Sequence, residues 1–188
     1  MTPILVKAPA VEPMTLAEAK AWLRVDTTDE DAVVAALIVA ARQRVERATR
    51  QALIAQTWRL VWDAWPSGDL PIPLTPFMSL VALRVYAANN VAAVIAPATY
   101  VVDPDPLGAR VRFLSPPAAP GRVVAGVEAE VVVGYATAAA GLPAPLLHAV
   151  RLLVARWFAR RGDGDEPDAG LPPDVEALVA PYRRARLA

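Results

Sequence analysis

The only histidine, His148, lies among Leu146, Leu147 and Val150 in a stretch with helical spacing. Triad chemistry needs a base beside an activated hydroxyl and a third group to orient that base. The serines are Ser67, Ser79 and Ser115, and none sits in a Gly-x-Ser-x-Gly turn. There is no cysteine, which removes thiolate catalysis, cysteine-based zinc sites and a disulfide framework together. With one histidine and no cysteine, an ordinary zinc site has little material. His148 therefore reads as a packed or surface residue of a helix.

Carboxylates are the next candidates. Asp29, Glu30 and Asp31 are consecutive. Adjacent residues on a helix point in different directions, so they do not make a catalytic pair. They suit the positive end of a helix dipole instead. Glu128 and Glu130 share one face of a strand, and cross-strand pairing accounts for them, with Arg110 and Arg112 elsewhere in the β region. Gly162-Asp163-Gly164-Asp165-Glu166 is acidic but lacks EF-hand spacing, and reads as an interhelical loop. No phosphate-binding Gly-rich loop and no dinucleotide fingerprint occurs. With no catalytic constellation, metal set or cofactor motif, the expectation is a protein that is not an enzyme and acts through its surfaces.

Apolar surface is what the chain has in excess. Hydrophobic residues make up 55% of it and the mean hydropathy is +0.34. A membrane span needs about 20 apolar residues. The best run, Ala32 to Ala41, stops at Arg42, and Met1 to Val11 shows no signal-peptide pattern. No membrane contact is expected, so the surplus belongs to core or subunit contacts. The charge is balanced, with 19 basic and 19 acidic residues. Duplex DNA binding is driven largely by Lys and Arg neutralising phosphates, so a dedicated DNA-binding role is not expected. Trp and Arg are favoured at interface hot spots. Among Trp22, Trp58, Trp62, Trp65 and Trp157, core anchoring is the simplest role, and Trp65 beside Pro66 is the best interface candidate. Arg42 and Arg47 join it, on a helix face that otherwise reads as solvated. Tyr182, Arg183, Arg184 and Arg186 form a short basic tail suited to docking.

These residues need elements to position them. Residues 1–13, with Pro3, Pro9 and Pro13, read as an extended arm. Thr15-Leu16-Ala17-Glu18 is a capping box that opens a helix to about Arg24, with Leu16, Ala19 and Leu23 on its buried stripe. A second helix starts near Asp29 and runs to about Arg50, with Val34, Leu37, Ile38, Ala41, Val45 and Ala48 at helical spacing. Two-residue alternation then marks about four or five short strands between Thr57 and Tyr135. The segment from Pro66 to Pro76 is a Pro-rich connection. Helix returns after Gly141, with an apolar face of Leu147, Val150, Val154, Trp157 and Phe158. It breaks over Gly162 to Gly170, and a last helix covers Val175 to about Ala180. The fold class expected is α+β, a helical core with an inserted antiparallel β unit. Within one domain, 1–188, the parts are the arm 1–13, helices 14–52, the β insertion 57–135, helices 143–180 and the tail 181–188.

The ordered set of landmarks resembles the head–tail connector (adaptor) family of long-tailed phages. It runs Met14-Thr15-Leu16-Ala17-Glu18-Ala19-Lys20, Leu23-Arg24-Val25-Asp26, Thr28-Asp29-Glu30-Asp31, Leu37-Ile38, Ala40-Ala41-Arg42, Val45-Glu46, Thr49 and Gln56-Thr57-Trp58. Tyr100 to Asp103, Val133-Gly134-Tyr135, Pro143 to Leu147, Arg160-Arg161 and Leu178, Pro181, Tyr182, Arg183 complete it. The Ala- and Arg-rich flavour is most like the adaptors of alphaproteobacterial gene transfer agents, phage-like particles that package host DNA. The resemblance implies a virion component forming a homo-oligomeric, dodecameric ring. The ring would sit between the portal protein and a stopper or tail-completion protein, with DNA passing through its lumen without sequence-specific binding. It implies cytoplasmic assembly, then residence at the head–tail junction. It also assigns Tyr182, Arg183, Arg184 and Arg186 to portal docking. A stopper or tail-completion protein of the same particle, or a cytoplasmic oligomeric binding module, is the alternative reading.

Overall fold

A computed structural model of the chain describes residues 1–105, 108–160 and 170–184. It is an α+β protein in which the chain divides into two compact units. One joins Met1–Ala10 to Ala55–Gly134; the other joins Val11–Ile54 to Tyr135–Ala188.

The second unit is helical. Helix α1 (Leu16–Leu23) starts at the capping box: the Thr15 hydroxyl accepts from the Glu18 N–H at 3.2 Å, and Glu18 accepts from the Thr15 N–H at 2.7 Å. Arg24 closes it in the left-handed conformation. Helix α2 (Asp31–Thr49) starts two residues later than the acidic run suggests, so Asp29 precedes the helix. Helices α3 (Ala144–Ala159) and α4 (Pro173–Val179) complete the unit, with prolines in their first turns, where no N–H partner is missed. Val34, Ile38, Ala41 and Val45 of α2 are buried, as the spacing predicts. On α3 the buried stripe is Leu146, Ala149, Val150, Leu153 and Val154, while Leu147, Trp157 and Phe158 are half-buried. The expected stripe is thus rotated. α2 and α4 both pack on α3, which widens its apolar face beyond one row.

The first unit is all β. A five-stranded antiparallel sheet has the order β1 (Thr2–Lys7), β2 (Gln56–Trp62), β8 (Val127–Val133), β4 (Phe77–Tyr86) and β5 (Ala92–Val94). A three-stranded sheet has the order β3 (Leu70–Ile72), β7 (Gly108–Phe113) and β6 (Tyr100–Asp105). Leu60, Leu83, Val127, Ala129 and Val131 line the buried face of the first sheet; Leu70, Ile72 and Val111 line that of the second. Two sheets that each bury one apolar face are the components of a β-sandwich. The arm of residues 1–13 is therefore partly a strand: Thr2 to Lys7 pair with β2 and extend the sheet. The Pro-rich connection also holds a strand, because Leu70 and Ile72 point inward while Pro71 points out.

The rotated α3 stripe makes a sharp prediction. Leu146 is fully buried and Leu147 is not. Leu146→Ala should cost about 2–5 kcal/mol by opening a cavity. Leu147→Ala should cost clearly less. The check is urea unfolding, read as a midpoint shift at constant slope.

Candidate functional site

Among the described residues no group of His, Asp and Glu side chains could hold a metal ion. His148 is exposed, and its ring meets the edge of Trp22 at 6.0 Å. The guanidinium of Arg151 lies 5.9 Å from the same Trp22 ring. The polar clusters decide which surfaces are available for contacts.

In the helical unit, the root of the C-terminal tail is tied down. The Gln51 amide donates to the Tyr182 carbonyl at 2.8 Å, and the Tyr135 hydroxyl donates to the Gln51 side-chain oxygen. The rings of Tyr135 and Tyr182 meet edge to face at 6.5 Å. The Arg184 N–H donates to the Thr49 carbonyl at 3.4 Å, and Arg183 donates to Glu176 at 2.6 Å. The sequence picks out Tyr182, Arg183 and Arg184 but misses Gln51 and Tyr135, which lie far away along the chain. Arg186 and Arg161 fall outside the described residues, as does most of the Gly162 to Gly170 break.

Arg42 is only 6% exposed, so it does not belong to a solvated face. Its Nε donates to Glu12 at 2.8 Å and a terminal nitrogen to Glu46 at 2.7 Å. Burial opposes its charge, but the hydrogen bond to Glu12 and the nearby Glu46 outweigh that and raise its pKa. The other Glu46 oxygen accepts from the Leu53 N–H at 2.9 Å. Arg42 thus clamps the segment before α1 to α2. Arg47, in contrast, is exposed.

In the β unit, Glu128 and Glu130 do form cross-strand ion pairs, but not with Arg110 or Arg112. Their neighbours are on β2 and β4, because β8 is the central strand. Arg84 lies 2.9 Å from Glu130 and 3.3 Å from Glu128, and Arg59 Nε lies 3.1 Å from Glu128 without hydrogen-bond alignment. The Tyr86 hydroxyl donates to Glu128 at 3.0 Å. Arg110 pairs instead with Asp103 at 2.8 Å and Arg112 with Asp69 at 2.9 Å, around the three-stranded sheet. Trp65 is half-buried: its indole N–H donates to the Ala118 carbonyl at 2.8 Å and its ring meets Phe113 at 5.0 Å. It pins the connection between β7 and β8.

The sequence profile of the phage gp6-like head–tail connector proteins matches residues 13–95. A solved chain from the neck of an empty GTA particle, computed with C6 symmetry, is 30% identical; the match covers 100% of this chain and 98% of that one, at a TM-score of 0.83. The chain belongs to the phage head–tail connector family. A chain from the virion of a native gene transfer agent particle is 29% identical, with the same coverage and a TM-score of 0.82. One from the neck of a native GTA particle, computed with C12 symmetry, is 30% identical at a TM-score of 0.80, again covering 100% and 98%. No curated protein sequence matches. A connector works by contacts, and this one already satisfies many of its own charges internally.

The tail root carries a pH signature. Burial, and then the neighbouring Tyr182, raise the Tyr135 pKa above its ordinary value of 10.0. The unfolded chain ionises this tyrosine first, so the stabilisation is full below about pH 10 and is lost as pH rises through the folded value. Tyr135→Phe removes that titration and the hydrogen bond to Gln51. It should cost about 1 kcal/mol at neutral pH. It should also flatten the alkaline fall in unfolding midpoint; an unchanged alkaline fall would contradict the assignment.

Proposed function

We propose that this connector is one subunit of a ring in the neck of a phage-like particle, seated between the portal and a stopper or tail-completion protein. The observation that carries the reading is the end-to-end likeness to a chain in a neck computed with C12 symmetry. Twelve copies is the number that symmetry suggests. The role is structural rather than enzymatic, in keeping with the family. The protein assembles in the cytoplasm and then stays at the head–tail junction.

The charge distribution supports a channel through which DNA passes without being held. The β unit carries six basic and six acidic side chains, and the helical unit thirteen of each. Neither has the cationic surplus that phosphate binding needs.

Tyr182, Arg183, Arg184 and Arg186 form the portal-docking segment. Contacts to Gln51, Thr49 and Glu176 fix the direction in which the chain leaves the helical unit. A fixed root lowers the ordering cost of docking the last residues of the chain. Arg47 is available on the outside of α2, and Trp65 acts through the loop that it anchors. Arg42 acts within the subunit.

The test is co-expression of the full chain with the portal protein encoded beside it, followed by light-scattering mass. The expected product holds one copy per portal subunit. Deleting residues 185–188, past the anchored root, should leave the fold intact and weaken portal binding roughly tenfold, about 1.4 kcal/mol. Two folded proteins that do not associate would overturn the portal contact.

A further inference from the structure

The five-stranded sheet distributes its exposed apolar side chains unevenly. None of the large ones lies on the inner strands β2 and β8. On one edge, β1 exposes Ile4, Leu5 and Val6, with Met1 beside them. On the other, Met78 and Val81 of β4 are exposed where β5 does not cover it, and Val91 and Val94 are exposed in and beside β5. Ile4 is 47% exposed and Val94 65%. Both stand on the same face: Ile4 lies opposite Arg59 and Val94 opposite Arg84, and these arginines flank Glu128 and Glu130 on that face. The two edges are separated by four strand spacings, roughly 19 Å at about 4.8 Å each.

Neither edge is suited to adding a strand. β1 carries Pro3, which has no N–H to donate, a register shift between Leu5 and Lys7, and the charge of Lys7. Proline, irregularity and lysine are the features that keep sheet edges from pairing. β5 is only three residues long. Both edges therefore offer side chains rather than backbone. Exposed apolar groups on opposite sides of one body are what a closed ring uses, because its contacts join one patch to a different patch on the next copy.

We propose that the β1 edge of one subunit packs, side chain against side chain, on the β4–β5 edge of the next copy of this chain. This rests on the ring reading above and names the surfaces that close the ring. The central charges stay paired within each subunit, and the apolar margins form the joint.

The chain has no cysteine, so site-specific cross-linking has no background from it. Particles are made with the full chain carrying Ile4→Cys and Val94→Cys together, then treated with a bismaleimide whose reach is well short of the distance between the edges. A ladder of dimers, trimers and higher species is expected. Each single-cysteine variant should give no ladder, and a mixture of the two single variants should stop at dimers. If the doubly substituted chain is present in the particles and labelled at both sites but gives no more than the single-cysteine controls, the proposal is overturned. Cross-links only to a different protein overturn it equally. Absence of the unsubstituted chain from particles prepared in parallel would instead overturn the ring reading on which it rests.

Discussion

The hydrogen bond from the Tyr135 N–H to the Leu53 carbonyl, at 3.1 Å, closes the helical unit across everything from 55 to 134. Beside it, Ile54 and Ala136 form a parallel bridge, and Gln51 joins Tyr135 to Tyr182. α1 and α2 come from one side of this gap and α3 and α4 from the other, yet all four share one core. The entropy of closing a loop rises only slowly with its length. Once the two ends are pinned, a large β unit is tolerated with little more loss than a small one. The same junction holds Tyr182 and Arg184, so core closure and the anchoring of these two residues depend on one small cluster.

The next layer is electrostatic. The helical unit satisfies Arg42 with Glu12 and Glu46, and Lys20 with Asp31 at 2.5 Å. The β unit satisfies Arg84 with Glu128 and Glu130, and Arg112 with Asp69. Pairs as exposed as Arg112–Asp69 contribute little stability, whereas the buried Arg42 needs its two carboxylates to offset its desolvation. Their effect on recognition is larger, since charges already paired within the subunit are poor ligands for DNA phosphates. Exposed apolar surface is then what the described residues offer for contacts, which fits a head–tail connector.

Much of this was legible in the sequence. The Thr15–Glu18 capping box, the α2 stripe and the alternating strands depend on neighbours within a few residues, and all appear where their spacing puts them. The α+β class followed from their order. The rest depends on partners distant along the chain. The β1 strand looks like a bare arm until β2 is beside it. Glu128 and Glu130 were readable as ion-paired, but their partners follow from strand order, which puts Arg59 and Arg84 beside β8 and sends Arg110 and Arg112 to another sheet. Arg42, four residues after Ile38 and three before Val45, lies on the buried side of α2, and its partner Glu12 is 30 residues away along the chain. The tail was visible as a basic motif, whereas its anchors Gln51 and Tyr135 carry no local signal.

The most direct test of the account is electron cryomicroscopy of the head–tail junction of particles assembled with this chain. The account predicts continuous density for the chain as a twelve-membered ring directly beneath the portal, open along the axis. Density for the chain at the tail tip or inside the capsid, or an intact neck that lacks it, would contradict the account.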